Sequence, residues 1–143
     1  MKLHSKLLAL PLALLLSAQA GAQAIEVMKS PYCGCCAKWI EHIRQHGFEV
    51  KVTDTDRLGA IKDELKVPEA LRSCHTSKVG KYVVEGHVPA EDIKRLLKEQ
   101  PAAIGMAVAG MPMGSPGMEH GGHKQAFDTM LFSAKGTKVY ASH

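Results

Sequence analysis

Aromatic residues are scarce in this chain: one tryptophan, three tyrosines and three phenylalanines make up 5% of its 143 residues. Basic residues are scattered rather than clustered, and without a basic patch interleaved with aromatics there is no footprint for nucleic acid. Charge of either sign is close to balanced, 18 basic against 14 acidic, and Lys2 and Lys6 near the N-terminus supply two of the basic ones. Long apolar runs are also missing. The run from Leu7 to Leu16 is interrupted by Pro11 and is too short to cross a bilayer as a helix. No internal repeat of useful length occurs.

What the N-terminal stretch does have is the layout of an export signal. Lys2, His4 and Lys6 form a basic region, the Leu7–Leu16 run follows, and Ala18-Gln19-Ala20 and Ala22-Gln23-Ala24 are small-residue cleavage sites. The expectation is a signal peptide over residues 1–22, cut somewhere between 20 and 24, and a secreted domain over residues 23–143. That length suffices for one hydrophobic core.

Three of the four cysteines lie in Cys33-Gly34-Cys35-Cys36. Cys33 and Cys36 keep the C-x-x-C spacing of thiol–disulfide redox motifs, yet a plain redox pair has no use for Cys35 between its partners. A cluster of soft thiolates favours Cu(I), zinc or iron–sulfur over hard cations. Two structural disulfides, the ordinary reading for an exported protein with four cysteines, fit less well: Cys35 and Cys36 are adjacent, and a Cys33–Cys36 bridge closes almost no loop. Disulfide exchange and metal binding therefore both stay open on spacing alone.

Apolar periodicity predicts an α/β order. Ile25 to Met28 reads as a strand. Cys36, Trp39, Ile40 and Ile43 fall at helical spacing up to Gly47, and Phe48, Val50 and Val52 alternate as a half-buried strand. Asp54, Thr55 or Asp56 is expected to cap a second helix with Leu58, Ile61 and Leu65 inward. Val79-Gly80-Lys81 reads as a turn between two short strands, the second being Tyr82 to Val88. Pro89 opens a third helix whose inner face is Ile93, Leu96 and Leu97. Glu91 and Asp92 near its start, with Lys94, Arg95 and Lys98 later, match the helix dipole. The order β, α, β, α, β, β, α, with the cysteine motif between the first strand and first helix, resembles the thioredoxin fold. There a Pro-Thr loop with a cis proline faces the cysteines; here Cys74-His75-Thr76 occupies the comparable place, His75 standing where that proline would be.

Beyond Pro101 the composition shifts to glycine, methionine and proline over Gly105 to Gly122, and then Phe127 to Ser133 and Thr137 to Tyr140 read as a hairpin about Lys135-Gly136. Met111, Met113 and Met118 sit in a Gly/Pro loop that cannot present a regular buried face, and thioether is a soft ligand for Cu(I). His120, His123 and His143 are further nitrogen donors for Cu(II). His87, next to the permissive Gly86, ends a strand that faces the cysteines in the thioredoxin arrangement. His42 and His46 are spaced i, i+4, for which a solvated helix face is the simpler explanation.

Pro31-Tyr32-Cys33-Gly34-Cys35-Cys36, Val67-Pro68 through Ser73-Cys74-His75-Thr76, Glu85-Gly86-His87-Val88-Pro89-Ala90, and Gly110-Met111-Pro112 through Gly117-Met118-Glu119 together resemble the CopG-type periplasmic copper-resistance proteins. Val108-Ala109-Gly110 departs slightly from the Pro-Gly expected before Met111. The resemblance implies a thioredoxin-like fold with a C-terminal Met/Gly-rich loop and β-hairpin, a periplasmic location, and copper held as a multinuclear, cysteine-bridged cluster. It implies Cys33, Cys35, Cys36 and Cys74 as copper ligands, and His75, His87, Met111 and Met118 as further candidates. It also implies copper resistance as the role and an oxidoreductase activity interconverting Cu(I) and Cu(II). Partners would be copper ions and other periplasmic copper-handling proteins. Two alternatives stand beside it: a thiol–disulfide oxidoreductase using Cys33 and Cys36, and a passive copper chaperone or buffer.

Overall fold

Ile25 and Val27 alternate with more exposed neighbours, and Ala24–Lys29 forms strand β1 with both side chains fully buried. A computed structural model describes the chain over residues 23–143; the expected signal peptide lies outside the described residues. Helix α1 spans Gly34–Gln45 and buries Cys36, Trp39, Ile40 and Ile43, the face its spacing predicts. Strand β2 (Glu49–Asp54) runs parallel to β1 at the sheet edge, helix α2 covers Leu58–Glu64, and a short 3-10 turn covers Glu69–Leu71. Strand β3 (His75–Val79) is antiparallel to β1 and turns through Gly80 and Lys81 into β4 (Tyr82–Glu85). Helix α3 follows over Ala90–Glu99, with Glu91 and Asp92 in its first turn and Lys98 in its last.

The sheet order so far, β2-β1-β3-β4, is that of the thioredoxin-like core. Strands β5 (Gly105–Ala107), β6 (Asp128–Ser133) and β7 (Gly136–Ser142) extend it to seven, β5 pairing parallel with β4 and β6–β7 closing a hairpin. Val84 joins Trp39, Ile43, Ile93 and Leu96 in the larger core, whereas its neighbour Val83 packs with Val67, Leu71, Ala107 and Phe132 on the opposite face. Full burial of each such aliphatic side chain contributes roughly 1.5–3 kcal/mol. Every peptide bond among the described residues is trans, consistent with histidine at position 75.

Three local expectations are corrected. Helix α2 buries its expected apolar face only in part: Leu58, Ile61 and Leu65 are half-buried, Leu65 against the smaller core, and the residue the helix buries most fully is Lys62. Its N-terminus has no side-chain cap either, since the Thr55 hydroxyl accepts from the Arg57 N–H, ahead of the helix. Finally, β5 lies inside the stretch read as a loop. Its three residues are all buried, so they show neither alternation nor helical period, and only pairing with β4 and β6 makes them a strand.

Candidate metal centre

Two chain crossings build one sulfur-rich corner. Cys33 is the N-cap of α1, and its Sγ accepts from the Cys36 N–H at 3.3 Å. Across from it, Ser73 and Cys74 lead into β3. Cys33 and Cys36 are joined as a disulfide with their Cα atoms 5.4 Å apart, while Cys35 and Cys74 are free thiols. Cys35 Sγ lies 3.5 Å from Cys33 Sγ and 3.8 Å from Cys74 Sγ, and Cys36 Sγ is 3.7 Å from the Cys74 carbonyl oxygen. All four sulfurs fall within 4.8 Å of one another.

Both predicted histidines join this corner and are fully buried. Cys74 Sγ is 3.0 Å from His87 Nε2 and 3.3 Å from His75 Nδ1, forming a second close donor set that shares Cys74. The Pro116 carbonyl lies 2.8 Å from His87 Nδ1 and accepts its N–H, so the Nε2 lone pair points at the sulfur. His75 packs against Trp39 at 4.4 Å between ring centres, and its Nε2 is buried with no hydrogen-bond partner. The Cys74 thiol has one proton to offer, and two imidazoles face it. One nitrogen lone pair therefore goes unanswered whichever tautomer His75 adopts, an arrangement a soft cation satisfies.

The electrostatics favour the neutral form of all three side chains. Burial, then His87 and Lys62, holds the His75 imidazole well below the ordinary histidine value, and burial lowers His87 too. Burial and the neighbouring Cys35 push the Cys74 thiol up to about 12. Binding a metal there must displace a proton.

The methionine loop contributes unevenly. Met111 Sδ stands 3.9 Å from Cys35 Sγ and is half exposed, and Met118 lines a surface cavity of about 330 Å³ with Cys35, Lys38 and His120. Gly117 fastens the loop: its φ is +84°, and a Cβ there would meet Trp39 N at 2.7 Å and Cys35 O at 2.9 Å. His120 and His123 are exposed and bridge each other across Gly121 and Gly122. His143 is elsewhere, stacked on Phe127 with its Nε2 2.9 Å from Asp92 Oδ2. His42 Nε2 accepts the Ala90 N–H at 3.2 Å and so braces the start of α3.

Forms 1 and 2 of a copper resistance protein, CopG, are solved structures similar to this chain, with TM-scores of 0.81 and 0.82. Each is 41% identical in sequence and matches 85% of this chain and 98% of its own. This chain belongs to the CopG family. A family model described as a protein of unknown function, DUF411, also matches residues 71–118, from the end of the 3-10 turn to Met118. No curated protein sequence matches the chain. Family membership and the sulfur corner together support a role in copper resistance for this CopG relative.

What spacing did not reveal is the buried polar network behind Cys74. Lys62 Nζ donates to Glu85 Oε1 and, at 2.7 Å, to Thr76 Oγ1; Thr76 in turn donates to Glu85 Oε2 at 2.6 Å. Glu85 Oε1 also accepts the Ser73 N–H at 2.6 Å, tying down the residue before Cys74. Gly86, at φ +73°, lets the following turn close: a Cβ there would meet Ser73 Cβ and Val108 O, each at 2.6 Å. The one available signal was a glutamate ending the otherwise apolar strand Tyr82–Glu85.

Proposed function

We propose that this protein binds copper in the periplasm, after removal of residues 1–22, as a multinuclear Cu(I) cargo bridged by cysteine sulfur. In the reduced protein Cys33, Cys35, Cys36 and Cys74 supply thiolates, His75 and His87 supply nitrogen at the buried edge, and Met111 and Met118 supply thioether at the exposed edge. The observation that carries this reading is the convergence of four sulfurs and two buried imidazoles within reach of one atom, Cys74 Sγ. The set contains no carboxylate or carbonyl ligand of the kind that suits magnesium or calcium, and several sulfurs so close together can bridge ions that one thiolate cannot share. Sulfur suits Cu(I) and imidazole suits Cu(II), so a mixed set supports interconversion of the two states.

Anaerobic titration of the reduced chain with Cu(I), with zinc as comparison, tests the reading by elemental analysis. Several copper ions are expected per chain, with fewer in Cys35→Ser. Copper stoichiometry unchanged by that substitution would sink the cluster.

The Cys33–Cys36 disulfide favours a second reading, thiol–disulfide exchange with a dithiol substrate. That activity would vanish in Cys33→Ser and survive in Cys35→Ser and Cys74→Ser. A passive chaperone or buffer would use the same ligands without a redox cycle, and a copper-dependent reaction rate separates it from the first reading.

A further inference from the structure

We propose that the four sulfurs divide their labour: Cys33 and Cys36 act as an internal two-electron donor that reduces Cu(II), and Cys35 and Cys74 retain the Cu(I) produced. The proposal rests on the copper reading above. It goes beyond that reading in assigning the electrons to one particular pair.

The division follows from the bonding and the burial. Cys33 and Cys36 are the pair joined as a disulfide, and that bond leaves the other donors in place. Cys35 Sγ and Cys74 Sγ stay 3.8 Å apart, with His87 Nε2 at 3.0 Å from Cys74 Sγ and Met111 Sδ at 3.9 Å from Cys35 Sγ. A soft site thus persists when the pair is oxidised, and it favours Cu(I), which pulls the reduction forward. The pair is also asymmetric in the way exchange requires. Cys36 is fully buried, whereas Cys33 is partly exposed beside Tyr32, itself 94% exposed. As N-cap of α1, Cys33 Sγ accepts the Cys36 N–H at 3.3 Å, which holds it at the rim of the site.

The electrons balance. Two thiols lose two electrons and two protons and form one S–S bond; two Cu(II) ions gain one electron each; the protons pass to water. Restoring the pair needs an external dithiol, whose thiolate attacks Cys33 Sγ, forms a mixed disulfide and expels Cys36 as the thiol. The same dithiol's second sulfur then releases Cys33.

The test uses the fully reduced chain, freed of reductant under anaerobic conditions and given buffered Cu(II). Cu(I) is read with a colorimetric chelator, and the disulfide is mapped by alkylation and peptide mass. About two Cu(I) per chain are expected, because one disulfide yields two electrons, together with a Cys33–Cys36 bond. Cys33→Ser should reduce Cu(II) at least about tenfold more slowly, on the loss of the attacking thiolate, while still binding added Cu(I) in smaller amount than the wild type. Cys74→Ser should surrender its Cu(I) to the chelator faster and, having lost part of the soft site that draws the reduction forward, form the Cys33–Cys36 bond more slowly than the wild type. A bond mapped to Cys35–Cys74 in the wild type, or wild-type reduction by Cys33→Ser, overturns the proposal. Normal Cu(I) binding with Cu(II) left unreduced overturns this proposal alone, whereas failure of the reduced wild type to bind Cu(I) overturns the copper reading and this proposal with it.

Discussion

Replacing Lys62 with methionine isolates the network that stands behind the sulfur corner. The side chains of Lys62 and Glu85 are 6% and 0% exposed, and their ion pair is completed by Thr76 and the Ser73 N–H. Methionine keeps most of the lysine stem but leaves the Glu85 carboxylate buried with only neutral donors. Breaking one side of such a buried pair costs about 3–5 kcal/mol. With a urea m value of about 2 kcal/mol/M, the unfolding midpoint should fall by about 1.5–2.5 M. The double variant Lys62→Met/Glu85→Gln removes both charges and keeps an amide oxygen for Ser73, so it should recover to within about 1 kcal/mol of the wild type. The single variant should also release Ser73, and alkylation of the Cys74 thiol should accelerate in the folded protein. A midpoint shift under about 0.3 M in Lys62→Met, or a double variant no more stable than the single one, would refute the argument that the pair acts as a unit.

Two further outcomes follow from the site. The Cys74 thiol stays protonated up to about 12, so metal uptake at Cys74 expels a proton throughout the neutral and mildly alkaline range. Apparent Cu(I) affinity should rise about tenfold per pH unit for that one proton, and Cys74→Ser should lower the slope of log affinity against pH by about one; an equal slope in both proteins would remove Cys74 from the ligands. His75 and His87, held below the usual histidine value, are already neutral at pH 7 and add no proton competition there. Gly117→Ala should cost about 1–3 kcal/mol, since it strains a positive φ and forces a methyl into the backbone of α1. Thermal melting reads that loss, and faster alkylation of Cys35 reads the lifted methionine loop; unchanged reactivity would mean the loop does not shield Cys35.

Much of the fold was legible because its signals are local. Trp39, Ile40 and Ile43 recur at helical spacing, Ile25 and Val27 alternate, and Pro89 with Glu91 and Asp92 marks a helix start. The failures share one cause. Nothing in the sequence marks Lys62 as buried, because its partners Thr76 and Glu85 come from strands distant in the chain, and Gly105–Ala107 has no period of its own because a strand of three residues is made by its neighbours.

The same contrast holds at the site. Sequence alone determined which donor atoms the chain carries: four thiols, their C-x-x-C framing with an inserted Cys35, and the methionine thioethers are covalent facts that no fold can alter. Tertiary structure decided which of them meet. It brought Cys74 to Cys35 and His75 and His87 to Cys74, set Met111 at the rim, and sent His143 to Asp92 instead. It also sorted four equivalent thiols into a bonded pair and two free ones, because the helix start places Cys33 over Cys36 and leaves Cys35 facing Cys74. Residue type sets affinity for a metal; only the packing of separate chain segments sets the distances at which that affinity can act.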